Sequence, residues 1–207
     1  MFGRHEEVAN QDGCGDDQQN GHTEEDAMRL ADKVVIVTGG GRGIGRAYSL
    51  GLAAEGARVV VAADITDPAP AVKEIEARGG QALGVHCDVA REHDALELAT
   101  KTLARFGRID VLVNNASIYG TLKRRPFMEI PVEEWDQVMA VNLRGLFLCA
   151  RAVFPAMKAQ GKGKIINIAS SGFFNGVPNY IPTRRRRAEW SDSRGRSPAN
   201  WGISASA

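Results

Sequence analysis

Seven consecutive residues, Gly39-Gly40-Gly41-Arg42-Gly43-Ile44-Gly45, have the types and spacing to hold a phosphate against bare backbone. They follow an apolar, β-branched run over 33–38 and precede a helical pattern over 46–55, so the segment reads as strand, tight loop and helix. A side chain at Gly39 or Gly43 would keep a pyrophosphate away from the main chain, and Gly45 lets the helix close on the strand. The helix start, beside Ile44, then offers N–H groups without intrahelical partners and the positive end of the helix dipole. Glycine-rich turns also serve plain βα connections, so the loop needs support from the rest of the chain.

That support comes from the ends of later apolar runs. Asp64, with Ile65 beside it, closes the second run 25 positions after Gly39. An acid there accepts hydrogen bonds from the ribose hydroxyls of NAD and repels the 2′-phosphate of NADP. Arg42 points the other way, because a cation in the glycine loop could meet that phosphate; the acid carries more weight, and NAD is expected ahead of NADP. The stretch Asp64-Ile65-Thr66-Asp67-Pro68 also fits an ordinary turn into a helix. Asp88-Val89 follows the third run and could meet an adenine ring or simply cap the next helix. Asn114-Asn115-Ala116-Ser117 follows the fourth, where small residues leave room for a cofactor. His5 and His22 lie among acids but read as solvated polar residues, and no metal site is expected.

Such residues converge only if a sheet brings its strand ends together. Strands are expected over 33–38, 58–63, 81–87, 109–113 and 164–169, and helices over 46–55, 68–78, 92–106 and 132–159. Pro68 falls in a first helical turn, Gly107 reads as a stop signal, and Pro155 sits late in the long helix. This alternation predicts an α/β fold, a doubly wound parallel sheet with helices on both faces and ligands at the strands' carboxyl ends. At 207 residues, 43% hydrophobic and 25% charged, the chain can build one such domain. A net charge of +1 gives no general attraction to nucleic acid or membrane. No apolar run approaches the ~20 residues that span a bilayer, and no signal peptide is evident. Cys14, Cys87 and Cys149 share no metal-ligand spacing, which suits a reduced, cytoplasmic setting.

Taken together, Thr38-Gly39-x-x-x-Gly43-Ile44-Gly45, Asp64, Asp88-Val89, Asn114-Asn115-Ala116, Asn142 and Ile165-Ile166-Asn167-Ile168-Ala169-Ser170-Ser171 resemble the short-chain dehydrogenase/reductase family over residues 30–182. The resemblance implies a Rossmann-type sheet, a nicotinamide cofactor, and hydride transfer with a small-molecule alcohol or carbonyl. It implies cofactor contacts at Gly39, Arg42, Gly43, Ile44, Gly45, Asp64, Ile65, Asp88, Val89, Asn115 and Ala116. Ser117 departs from the family's usual glycine. Asn142 resembles the asparagine that holds a proton-relay water through a backbone distortion, although a helix-surface amide would look the same. Ser170 resembles the serine that hydrogen-bonds the substrate oxygen.

The family's tyrosine acid/base and its lysine partner are missing. Counting 13 residues on from Ser170 reaches Thr183, and four more reach Arg187. A threonine hydroxyl lacks the phenol ring, and its pKa lies far above the ~10 of tyrosine. Tyr180 lies only 10 residues after Ser170, with Arg184 four further, so its spacing is wrong. The implied enzyme is therefore expected to be catalytically impaired in this chain, with a non-catalytic NAD-binding protein or an inactive fragment as the alternative.

Both ends of the chain differ in character from its middle. Residues 1–27 are polar and aperiodic and read as a disordered extension, with Met28 the expected natural start of a domain running to 182. Residues 183–207 hold six arginines and no lysine and lack helical periodicity. With one base added ahead of them, codons allowed for residues 183–190 can spell Tyr-Ala-Ser-Ser-Lys-Gly-Gly-Val, so this tail is expected to be out of frame and disordered, and the last part of the family's fold missing. Arg184 to Arg187 with Trp190 and Trp201 could instead form a nucleic-acid-binding arm, the weaker reading. The family is homo-oligomeric through the long helix and the missing one. Assembly is therefore doubtful for this chain, and Leu146, Phe147, Val153 and Phe154 are expected to be left uncovered.

Overall fold

The computed structural model describes residues 28–169 apart from 121 and 124, together with the backbone of 201–202. Expectations placed on residues 1–27, on Ser170, Tyr180, Thr183 and Arg187, and on the arginine-rich tail lie outside the described residues. The elements are β1 (Val34–Thr38), α1 (Gly43–Ala54), β2 (Arg58–Ala63), α2 (Ala69–Ala77), β3 (Gln81–His86), α3 (Glu92–Phe106), β4 (Val111–Asn114), α4 (Val132–Met139), α5 (Gly145–Ala159), β5 (Lys164–Asn167) and β6 (Trp201–Gly202). The sheet runs β3-β2-β1-β4-β5-β6, parallel throughout except that β6 pairs antiparallel with β5.

β1 and β2 are apolar without alternation because both faces of the sheet are covered. Val34 and Ile36 face the core shared with α3 and α5, while Val35 and Val37 face the one shared with Ala71 and Ile75 of α2. Gly107 ends α3 in a left-handed conformation, φ 75°, as a stop signal should. The expected strand and helix order is present, with ends displaced by a few residues. The largest displacement is at α1, which starts at Gly43 and not at 46, because the last loop glycines already belong to its first turn.

The expected long helix is a single 28-residue run, Val132–Ala159, with one irregularity. Residues Ala140–Arg144 form a π-turn between α4 and α5. The expectation of no membrane-length apolar stretch needs correcting here. Over 18 residues this helix reaches a mean hydropathy of 1.4, long and apolar enough to cross a bilayer by length and composition. Arg144 and Arg151 interrupt the run and hide it from a count of consecutive apolar residues. The helix instead buries Leu148, Cys149, Val153 and Met157 in the core beside β4 and α3. A second correction follows: Leu146 and Val153 are covered, and only Phe147 and Phe154, 50% and 41% exposed, face outward.

At the strands' amino ends, side chains close the sheet. The Val34 N–H donates to Asp110 at 3.0 Å, and Arg108 donates to both Asp110 oxygens at 2.8 and 2.6 Å. Burial alone would push the Asp110 carboxyl up. The Arg108 and Val34 hydrogen bonds and the charges of Arg108 and Lys33 outweigh it, so Asp110 titrates below the usual carboxylate range. Gln160, just past α5, accepts from the Ile109 N–H at 2.9 Å and donates to the Ile109 carbonyl at 2.8 Å.

Candidate functional site

At the carboxyl ends the chain leaves the sheet in glycines and small residues, and a cleft of about 730 Å³ opens between the loops. Its floor is tied down by Thr38, the residue that ends β1. Thr38 Oγ1 accepts from the N–H groups of Asn115 (3.0 Å) and Ala116 (3.1 Å) and lies 3.3 Å from the Val113 carbonyl, to which it donates. Asn115 Nδ2 in turn donates to the carbonyls of Thr38 (3.0 Å) and Gly39 (3.4 Å). The loops after β1 and β4 are thus locked together. In the sequence Thr38 stands out only as the hydroxyl that closes an otherwise apolar strand.

The glycines divide by purpose. A Cβ on Gly45 would overlap the Gly39 carbonyl oxygen, and one on Gly39 would stand 3.0 Å from Ala116 Cα, so both positions are filled by neighbouring backbone. Gly39, expected to make room for a ligand, lines the cleft and also packs tightly on the β4 loop. Gly43 differs. It adopts φ +52°, and a Cβ there would meet nothing within 4 Å, so its surface faces open space. Arg42 precedes α1 in extended conformation without a capping side chain, and no acid lies in the first turn. The opening N–H groups of α1 are therefore met by neither a capping side chain nor a first-turn acid.

Two further loops complete the walls. Asp64 and Ile65 are exposed beyond β2, with Asp64 Oδ1 accepting from the Ile65 N–H at 2.6 Å. Asp88 spends its side chain locally: Oδ1 accepts from Ala90 N–H at 2.9 Å, while its own N–H donates to Asp94 at 3.0 Å. Of the two readings of Asp88, its carboxylate serves the turn before α3, and Val89 beside it is buried against the core. All eleven expected cofactor-contacting residues, from Gly39 through Ala116, line this one cleft. Thr66, Cys87, Gln137 and Val141 also line it and were not foreseen. A more open depression of about 770 Å³ on the outer side of α4 and α5 includes none of the expected site residues.

Asn142 sits in the π-turn and is 3% exposed, which removes the surface-amide reading. Its side chain clamps the loop after β4, accepting from the Ile118 N–H at 2.7 Å and donating to the Ile118 carbonyl at 3.0 Å. Cys87 and Cys149 are buried and free. Burial pushes the Cys149 thiol up to about 12, and burial, then the neighbouring Cys149, raises Cys87 as well. Neither is a ready nucleophile.

The dimensions fit a dinucleotide: the volume lies within the range of small-molecule sites, and the open glycine, uncapped helix and exposed acid match pyrophosphate and ribose in chemistry. Comparison with known proteins agrees. The family described as short chain dehydrogenase matches residues 33–182. A 3-oxoacyl-[acyl-carrier-protein] reductase of Synechocystis sp. is 38% identical over 183 residues, 86% of this chain and 73% of that protein. The crystal structure of levodione reductase superposes with a TM-score of 0.71 at 37% identity, covering 77% of this chain and 62% of that one. A metagenomic short-chain oxidoreductase solved with NADP gives 0.67 at 40% identity, covering 74% and 69%. The chain thus spans less than two thirds of the levodione reductase structure. On sheet order, cleft and sequence alike, this protein belongs to the short-chain dehydrogenase/reductase family.

Proposed function

We propose that the cleft binds NAD in preference to NADP and that the chain descends from an oxidoreductase interconverting alcohols and carbonyls. The observation that carries the reading is the gathering of all eleven expected residues around one cleft whose glycine at position 43 faces open space. The pyrophosphate would lie on the first turn of α1 against Gly43, Ile44 and Gly45. Asp64 would accept from the adenosine ribose and repel a 2′-phosphate, with Arg42 the opposing influence. Asp64 follows β2 and Val89 follows β3, whereas Ala116 follows β4 on the other side of β1. The adenosine would therefore lie toward β2 and β3 and the nicotinamide toward β4. Bound there, the nicotinamide would supply or accept the hydride.

Asn142 would hold Ile118 and, through the π-turn main chain, a water for proton relay; Ser170 would hold the substrate oxygen. Thr183 and Arg187 stand where the family's acid/base pair is counted, and neither can donate a proton near neutral pH. Turnover is expected to fall by about 10²–10⁴-fold relative to a family member with a phenolic acid at that position. The free buried thiols suit a reducing, cytoplasmic setting. Calorimetric titration with NAD and NADP, together with turnover on a panel of alcohols, tests the reading. NAD binding with feeble turnover is expected, binding with none would make the protein a non-catalytic NAD binder, and binding of neither dinucleotide would refute the proposal.

A further inference from the structure

The loop that forms the adenosine-side wall, residues 88–90, does not stand on the sheet alone. The π-turn and the first residue of α5 hold it from beneath. Arg144 Nη2 donates to the Ala90 carbonyl at 3.2 Å. Gly145 is buried, and a Cβ built on it would lie 2.8 Å from Val89 Cγ2 and 3.2 Å from both Val89 Cβ and the Val89 carbonyl. Only a hydrogen at position 145 leaves room for Val89 where it sits. Val89 is 6% exposed, packs in the core beside Leu148 and Cys149, and reaches the cleft. Through Asn142 and Ile118 the same π-turn also holds the opposite wall. One five-residue irregularity therefore sets the separation of the two walls.

We propose that Gly145 is a positioning residue for the adenosine half of the cleft: its missing side chain lets Val89 seat against α5, and the seat fixes where the 88–90 wall stands. The inference rests on the dinucleotide reading of the cleft. Adding a methyl group at 145 pushes Val89 outward by a few tenths of an ångström, chiefly through Cγ2, the nearest atom at 2.8 Å, which belongs to a branched side chain packed in the core. The effect should appear in adenosine binding before it appears in folding.

Titration calorimetry with NAD and with ADP, run beside thermal unfolding on the full chain, tests this. Gly145→Ala should weaken NAD and ADP by the same factor, about tenfold. In a Val89→Ala background, where the closest contact is gone, the same change should alter affinity by less than about twofold. Equal affinity of wild type and Gly145→Ala would overturn the inference, as would a loss for NAD without one for ADP, or a loss that Val89→Ala does not absorb. Should Gly145→Ala fail to fold, Arg144→Met replaces it. That variant removes the hold on Ala90 without adding bulk, and about threefold weaker binding of both ligands is expected; unchanged affinity would overturn the proposal. A wild-type chain that binds neither ligand would refute the dinucleotide reading itself, a result distinct from all of these.

Discussion

The two edges of the sheet are built from opposite materials. At the amino edge charged and amide side chains close the backbone: Asp110 takes the Val34 N–H and both arms of Arg108, and Gln160 clasps both polar groups of Ile109. At the carboxyl edge glycine and small residues leave backbone open; Thr38, Asn115 and Asn142 are turned onto neighbouring loops and Asp88 onto its own, while Asp64 stays exposed. One edge satisfies its own hydrogen bonds and the other shapes a space. Stability should reside at the first and binding at the second, and substitutions can separate them.

Asp110→Ala should do so most strongly. It leaves the Val34 N–H unpaired and Arg108 without its acid. Because Arg108 is partly in water, the loss should sit nearer a charged hydrogen bond than a fully buried pair, about 2–3 kcal/mol by denaturant unfolding, with NAD affinity of the folded protein unchanged. The same contact predicts a pH dependence. The folded carboxyl titrates lower than the unfolded one, so its stabilisation is complete above the ordinary aspartate range and drains away as pH falls through the depressed value. In Asp110→Ala the acid limb of the stability profile should flatten.

Gly45→Ala should blur the comparison, since its Cβ meets the Gly39 carbonyl oxygen inside the carboxyl-edge loop itself. A cost of about 2 kcal/mol together with loss of NAD binding is expected. Gly43→Ala should sharpen it: nothing obstructs the new methyl, so only the positive φ, about 1 kcal/mol, weighs on folding, while calorimetry should show NAD affinity falling at least tenfold. Asp64→Ser should leave the melting temperature unmoved and shift preference toward NADP, because an exposed carboxylate is exchanged for a neutral donor. Unaltered discrimination would remove Asp64 from the ribose.

Much of the carboxyl edge was legible in the sequence because its chemistry is written as local pattern. A β-branched run ending in glycines, an acid closing the next run and paired asparagines closing the fourth each announce a strand end without tertiary information. The amino edge was not, since Asp110 meets Val34 across 76 positions and Gln160 meets Ile109 across 51. Helical pattern over 132–159 does not reveal the π-turn either, because one extra residue in a turn leaves no compositional mark; only the resemblance at Asn142 pointed to a backbone distortion there. Asn142 was singled out by resemblance, yet its grip on Ile118 and the seat of Val89 on Gly145 depend on loops meeting in space.

Amide hydrogen exchange with and without saturating NAD tests the central claim most directly, because it reads both edges in one experiment. Slowed exchange should be confined to the loops around residues 39–45, 64–66, 88–90 and 115–118, with amides near Val34, Ile109 and Asp110 unaffected beyond the global gain in stability. Protection that is absent from the glycine loop, or that appears at the amino edge or on the outer face of α4 and α5, would contradict it.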